Sequence, residues 1–361
     1  MRAGGSDRDS DLQKNSTRPL SDHPPAPRIG VRGFRIAGGG KWIGKRNSAW
    51  CGALTRRRSW RRRGSPTRVE TAFAEVRRED FLGQGPWSII GWRDDWRGDY
   101  IPTPSADPAY LYLDHVVGIL PERHLNNGQP SLHAKLLAHA GPQQGDHVVH
   151  IGTGTGYYTA IMAHLVGRSG KVTAIELDPG LAARARGNLS SYPNVSVICG
   201  NGAVVPFDAA DVVYVNAGAS RPAETWLDGL SQGGRLILPL TTNKGFMDND
   251  PPVPIERRGA VFRIERRSAE FLARWISPVT IFPCEGARDP LSEAALAEAF
   301  EKGGWKEVTG LCRSNDVSQG RCWLRRPGWC LTRDVTQPED HPPRTGAAPI
   351  AARAAATSGC H

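Results

Sequence analysis

"HIGTGTGYY", residues 150–158, opens as the end of an apolar strand and closes as the first turn of a helix, with glycines at 152, 154 and 156 between them. Three glycines in five positions indicate a backbone that needs left-handed angles, or that lets another molecule lie directly against the peptide. The run "HVVHI" before the turn reads as a buried strand and "YYTAIMAHLV" after it as a buried helix, so this is a βα turn. Open α/β sheets bind ligands at the carboxyl ends of their strands, which makes the turn a candidate site.

Outward from the turn the same rhythm repeats. The pattern predicts a helix over 130–140, strand 147–151, helix 157–166, strand 171–176, helix 179–189, strands 195–199 and 211–215, helix 222–230 and strand 234–240. Strands alternating with helices at these intervals predict an α/β fold: a Rossmann-like, mostly parallel sheet with helices on both faces. "DVVYV" (211–215) has the continuous apolar character of a strand covered on both sides. Beyond Pro254 the pattern changes to "GAVFRIER", "EFLARWISPVTIF", the acidic helix "LSEAALAEAFEKGG", "VTGLC" and "RCWL", which predict antiparallel strands added to the C-terminal side of that sheet. Before it, "RVETAFAEVRREDFL" predicts an amphipathic helix near residue 68, followed by a Trp- and Pro-rich connector and by "YLYLDHVVGIL", which reads equally as strand or helix.

The chain has 361 residues, 39% of them hydrophobic, enough for a full core. Its formal charge of +10 invites a nucleic-acid reading, but residues 1–66 carry +12 and the remainder −2. Residues 1–66, with arginine clusters at 56–58 and 61–63, therefore read as a basic, Gly/Ser/Pro-rich disordered leader. Residues 67–333 read as one catalytic domain, divided into an N-terminal cap and substrate-side segment (67–129), a cofactor-binding core (130–254) and C-terminal strands with a helix (255–333). Residues 334–361 read as a disordered tail. No apolar run approaches the roughly 18 residues of a membrane span and no signal-peptide core precedes the domain, so the expectation is a cytoplasmic monomer without membrane contact. The seven cysteines form no C-x-x-C pair, and neither a disulfide framework nor a metal site is expected.

The second strand, "KVTAIELDP", delivers Glu176 twenty residues after Gly156. A carboxylate there accepts hydrogen bonds from both hydroxyls of a ribose, so the glycine turn and Glu176 together indicate an adenosine-containing cofactor. A dinucleotide fingerprint needs G-x-G-x-x-G, but the sixth position from Gly152 is Tyr157 and the third glycine has moved to Gly156. S-adenosylmethionine, which brings no pyrophosphate, fits that spacing better.

From "VRREDF" (76–81) through "NNGQPSLHA" (126–134), "VVHIGTGTGYYTA" (148–160), "AIELD" (174–178), "CGNG" (199–202), "DVVYVNAG" (211–218) and "GGRLILPL" (233–240), the chain resembles the protein-L-isoaspartate O-methyltransferases, within the class I S-adenosylmethionine-dependent methyltransferases. The resemblance runs from about Val69 to Cys330. It implies that Gly152, Thr153, Gly154, Thr155, Gly156 and Tyr157 line the methionine end of the cofactor. Glu176 and Leu177 would hold the ribose and adenine edge, Asn201 and Gly202 the adenine, and His133 and Asn216 would also touch the cofactor. The implied partner is a protein or peptide bearing isoaspartyl residues, methylated on a carboxylate.

Three positions depart from that family's pattern. His150 and Asn201 stand where acids are usual, and Gly128 stands where the family carries its active-site serine. Asn127, Gln129 and Ser131, with Asn126, offer substitute hydrogen-bond donors beside Gly128, or else simply cap the helix from residue 130. Other readings therefore stay open: a methyltransferase of another small-molecule, protein or RNA acceptor, or a cofactor-binding protein weakened in catalysis. Adenine N6 chemistry fits poorly, because "VNAGAS" (215–220) replaces the Pro-Pro-aromatic segment such enzymes carry.

Overall fold

The structure is a computed structural model that describes residues 67–90, 100–244, 253–283, 286–314 and 317–334. The leader 1–66 and all of the tail beyond Asp334 lie outside the described residues.

In chain order the elements are α1 (Arg68–Glu75), α2 (Glu79–Leu82), β1 (Ser88–Ile90), β2 (Tyr100–Pro102), β3 (Val117–Leu120), β4 (Leu125–Asn127), α3 (Pro130–Ala140), β5 (His147–Ile151), α4 (Tyr157–Val166), β6 (Lys171–Glu176), α5 (Pro179–Asn188), β7 (Val195–Cys199), β8 (Ala210–Val215), α6 (Glu224–Asp228), β9 (Leu230–Thr241), α7 (Ile255–Arg258), β10 (Gly259–Arg267), β11 (Glu270–Pro278), α8 (Pro290–Lys302), β12 (Val308–Cys312), β13 (Cys322–Arg326) and β14 (Trp329–Arg333).

The large sheet runs β13-β14-β12-β11-β10-β9-β8-β5-β6-β7. Strands β7, β6, β5, β8 and β9 are mutually parallel, and β10 to β14 add antiparallel. This is the expected α/β architecture. Chain order reverses between β5 and β8, so the crevice outside their carboxyl ends is the topological switch point, and the 152–156 turn sits in it. Both faces of the parallel part are covered. Val149, Ile151, Val213, Val215 and Leu238 pack on one side with Trp226, and Val148, Val172, Val212, Tyr214 and Ile237 on the other with α3 and α4. That two-sided burial is why these strands read as unbroken apolar runs.

Local signals account for the helix ends. Thr67 and Glu70 form a capping box that starts α1, whose Phe73 packs edge-on to Tyr157 at 6.4 Å between ring centroids. Asp178 accepts from Leu181 N–H to start α5, and Asp289 from Ser292 N–H to start α8.

The ambiguous segment "YLYLDHVVGIL" is both things. A 3₁₀ turn covers Pro108–Tyr112, and β3 follows in a second, small antiparallel sheet of order β2-β1-β3-β4. No period-2 run long enough to announce this sheet exists, since its strands have only three or four residues each. The expectation of unpaired thiols needs correction as well. Cys322 and Cys330 form a disulfide with Cα atoms 6.1 Å apart, because the β13–β14 hairpin turns at Pro327–Gly328 and brings the two strands side by side. Cys199 is exposed, and Cys312 is half-buried.

Candidate active site

The glycine turn is built as its composition requires. Gly152, Gly154 and Gly156 have φ of 77°, 59° and 98°. A Cβ on Gly156 would lie 2.8 Å from Leu189 Cδ1, and one on Gly154 would lie 3.4 Å from Ile119 Cδ1 of β3. The small sheet therefore reaches over the turn. Gly152 N–H donates to the Ile175 carbonyl, and the Gly152 carbonyl accepts from the Asn216 side-chain amide at 3.2 Å, so β5, β6 and β8 all hold the loop. Thr153 and Thr155 are buried, and the Thr155 hydroxyl has no hydrogen-bond partner among the described residues.

Glu176 closes the cradle from the end of β6. Its Oε2 accepts from Gly154 N–H at 2.6 Å and its Oε1 from Asp178 N–H at 3.1 Å. Burial raises its pKa above the usual carboxylate value, and the same backbone N–H groups work against that shift. Each carboxylate oxygen keeps a further lone pair for a ribose hydroxyl. Leu177 beside it is exposed. Asn201 Oδ1 accepts from Ala203 N–H at 2.9 Å, and its amide NH₂ has no partner among the described residues. Gly202 is buried, its carbonyl accepting from the Trp226 indole N–H at 2.7 Å, and a Cβ there would strike Ile151. The set combines an acid able to accept from a diol, a backbone cradle free of side chains and a side-chain amide. It fits S-adenosylmethionine.

The substrate-side residues are placed differently from a simple row of donors. Asn127 is buried and its Oδ1 accepts from Arg78 Nε at 2.8 Å. Gln129 Nε2 and Ser131 Oγ both donate to Asp114 Oδ2, at 2.9 and 2.6 Å, and Asp114 Oδ1 accepts from Ser131 N–H. Asp114, which no sequence motif singled out, thus caps α3 from a distant loop. The side chains of Asn127, Gln129 and Ser131 serve Arg78 and Asp114. The Gly128 carbonyl is likewise pinned, accepting from Tyr158 O–H at 2.6 Å and from Arg78 at 3.1 Å.

Behind Gly128 lies a buried aromatic cluster. His133 is 1% exposed, its ring stacked on Tyr158 at 3.7 Å and its Nδ1 2.8 Å from the Tyr214 hydroxyl. His150 is fully buried, its Nδ1 2.8 Å from Thr159 Oγ1, and its Nε2 has no partner among the described residues. Burial holds both imidazoles neutral, pushing His150 down to about 3 and His133 well below its ordinary value. Tyr157 is fully buried beneath the turn, its phenol pKa raised by desolvation. Arg78, also fully buried, was another residue sequence reasoning missed. Its position in "VRREDF" gave no sign that one of two adjacent arginines turns inward.

A parallel sheet with its switch point at β5/β8, an acid at the end of β6 and antiparallel C-terminal strands define the class I methyltransferase architecture. The family described as protein-L-isoaspartate(D-aspartate) O-methyltransferase (PCMT) matches residues 96–249. The protein-L-isoaspartate O-methyltransferase of Methanococcus aeolicus is 39% identical over 152 residues, which cover 40% of this chain and 67% of that one. That of Thermotoga maritima is 32% identical over 183 residues, 49% of this chain and 51% of the relative. A solved protein-L-isoaspartate O-methyltransferase structure superposes with a TM-score of 0.52 at 27% identity, covering 67% of this chain and 66% of the other. The chain belongs to the protein-L-isoaspartate O-methyltransferase family. It spans about half the length of the Thermotoga relative.

Proposed function

We propose that this chain is an S-adenosylmethionine-dependent O-methyltransferase that methylates a carboxylate, with isoaspartyl residues of proteins or peptides as its acceptor. The observation that carries the reading is the pairing of Glu176 with the Gly154 backbone at the switch point, in a chain whose family is named for that activity. In this reading Gly152–Tyr157, Glu176, Leu177, Asn201, Gly202 and Asn216 hold the cofactor. When bound, the cofactor supplies a methyl group on a positively charged sulfur, and its transfer to oxygen returns the electron pair of the broken S–C bond to sulfur.

An acceptor carboxylate, with pKa about 4, is already ionised at neutral pH and needs no general base. The protein's task is placement and exclusion of water. Alignment of two reacting groups accounts for about 7–11 kcal/mol of a barrier, which a rigid turn and a covering sheet can supply. Asp114, Gln129 and Ser131 fix the start of α3, and Arg78 fixes the loop that carries Gly128.

The test is methyl transfer from labelled S-adenosylmethionine to an isoaspartyl peptide, its aspartyl counterpart or RNA. Label confined to the isoaspartyl peptide and released by mild base, as expected of a methyl ester, supports the reading; label on RNA or on neither peptide overturns it. The alternative of a cofactor-binding protein weakened in catalysis draws on the missing hydroxyl at Gly128, and it predicts cofactor binding by calorimetry without transfer to any acceptor.

A further inference from the structure

Position 128 lacks a side chain, and the space where one would stand is taken. A Cβ built on Gly128 falls 2.4 Å from His133 Nε2 and 3.1 Å from His133 Cδ2. No φ in the left-handed region demands glycine here, since Gly128 is not among the positive-φ residues. The constraint is the imidazole itself.

That imidazole is held in one orientation. Its face lies on Tyr158, with ring centroids 3.7 Å apart and planes 23° from parallel, which sets the tilt. Its Nδ1 meets the Tyr214 hydroxyl at 2.8 Å, which sets the rotation. The same contact couples the tautomer to the role of that hydroxyl. Tyr214 is fully buried, and its hydroxyl has no other hydrogen bond among the described residues. If the hydroxyl accepted from Nδ1–H, its own proton would be buried without an acceptor among the described residues. With the hydroxyl donating to Nδ1, the proton of the neutral ring is on Nε2, the nitrogen that faces Gly128.

Resting on the carboxylate-methyltransferase reading above, we propose that His133 Nε2–H is the hydrogen-bond donor this site presents to the acceptor carboxylate, standing where a residue-128 side chain would otherwise reach. Glycine at 128 and histidine at 133 are then a matched pair: the first vacates the space, and the second fills it with a directed N–H. A donor in a water-poor site acts strongly on an oxygen whose charge changes during transfer. Asn127 Oδ1, Gln129 Nε2 and Ser131 Oγ are engaged with Arg78 and Asp114, and His133 Nε2 is the atom nearest to where a residue-128 Cβ would stand.

The experiment compares wild type, His133→Met, His133→Gln, Gly128→Ser and the double variant Gly128→Ser/His133→Met. Readouts are isoaspartyl-peptide turnover, S-adenosylmethionine affinity by calorimetry and melting temperature. The proposal expects His133→Met to lower kcat on the order of 10²-fold, with a much smaller change in cofactor affinity. His133→Gln, whose amide reaches toward the Nε2 position, should recover part of the loss. Gly128→Ser alone should melt lower because of the clash. The double variant should exceed His133→Met in turnover, since the serine hydroxyl then enters vacated space. A double variant no better than His133→Met, or a loss of cofactor affinity that tracks the loss of rate, overturns the proposal and leaves His133 as a cofactor contact.

Nitrogen-15 NMR of the wild-type imidazole supplies a readout independent of turnover and of any variant's folding: Nε2–H is expected, and the Nδ1–H tautomer overturns the proposal. Wild type that binds the cofactor but methylates no isoaspartyl peptide overturns the functional reading and the carboxylate part of this inference with it. The tautomer still decides which nitrogen offers a proton toward position 128.

Discussion

At the scale of single residues, the glycines divide sharply by what surrounds them. Gly156 ends the turn at φ 98°, and a Cβ there would sit 2.8 Å from Leu189 Cδ1. Left-handed backbone costs a non-glycine residue about 1–2 kcal/mol, and forcing a methyl into packed space adds about 1–3 kcal/mol. Gly156→Ala is therefore expected to lower the unfolding free energy by about 2–5 kcal/mol. Gly187, near the end of α5, is exposed, without positive φ, and a methyl group added there would meet nothing within 4 Å. Gly187→Ala should instead stabilise by about 0.5–1 kcal/mol through helix propensity. Urea denaturation of the two variants checks both signs, and equal effects would mean that the turn is not held as described.

At the scale of elements, Arg78, between α1 and α2, ties together the stretch from Leu111 to Gly128. Its guanidinium donates to Asn127 Oδ1 and to the carbonyls of Leu111, His115, Asn127 and Gly128, all between 2.8 and 3.2 Å. A buried cation of this kind persists because many acceptors surround it, and removing it leaves several buried carbonyls unpaired. Arg78→Met should cost about 3–5 kcal/mol. The damage should also be local. Amide exchange should quicken in residues 111–128 more than in 147–176, because the parallel strands keep their own ladders. Uniform acceleration across both segments would show that Arg78 supports the whole fold rather than this connection. By contrast Arg123–Asp178, at 2.5 Å but with Arg123 half exposed, joins the same segment to α5 through a solvent-screened pair.

At the scale of the whole molecule, the buried imidazoles make stability depend on pH. In the unfolded chain a histidine takes up its proton near pH 6.5, whereas burial holds His150 neutral down to about 3. Between those values the unfolded state binds more protons, so stability falls as pH falls from about 6.5 toward about 3. The maximum slope is about 1.4 kcal/mol per pH unit for each such group. His133 adds a loss of the same sign. Glu176, whose pKa is raised, acts in the opposite direction, and a difference between wild type and variant cancels it. His150→Gln should therefore show a shallower decline of unfolding free energy between about pH 6.5 and 5 than wild type, whatever its stability at neutral pH. Parallel profiles would contradict the buried neutral state of His150.

The sequence by itself determined the alternating strands and helices from Pro130 to Thr241, the antiparallel addition after Pro254, the glycine turn and the acid that serves it. These are local or periodic properties: apolar runs for strands covered on two faces, caps and glycines for the ends, and a fixed interval between Gly156 and Glu176. Only the tertiary structure decided which polar groups face one another. Arg78 and Asp114 reach the 127–131 segment from residues distant in the chain, Cys322 meets Cys330 diagonally across the β13–β14 hairpin, and the nearest atom to the missing side chain of Gly128 is His133 Nε2. None of these pairings has a sequence period, because each depends on the direction of a side chain across packed elements rather than on spacing along one. The departure at residue 128 reads in the sequence as the loss of a serine, and in the fold as space occupied by an imidazole.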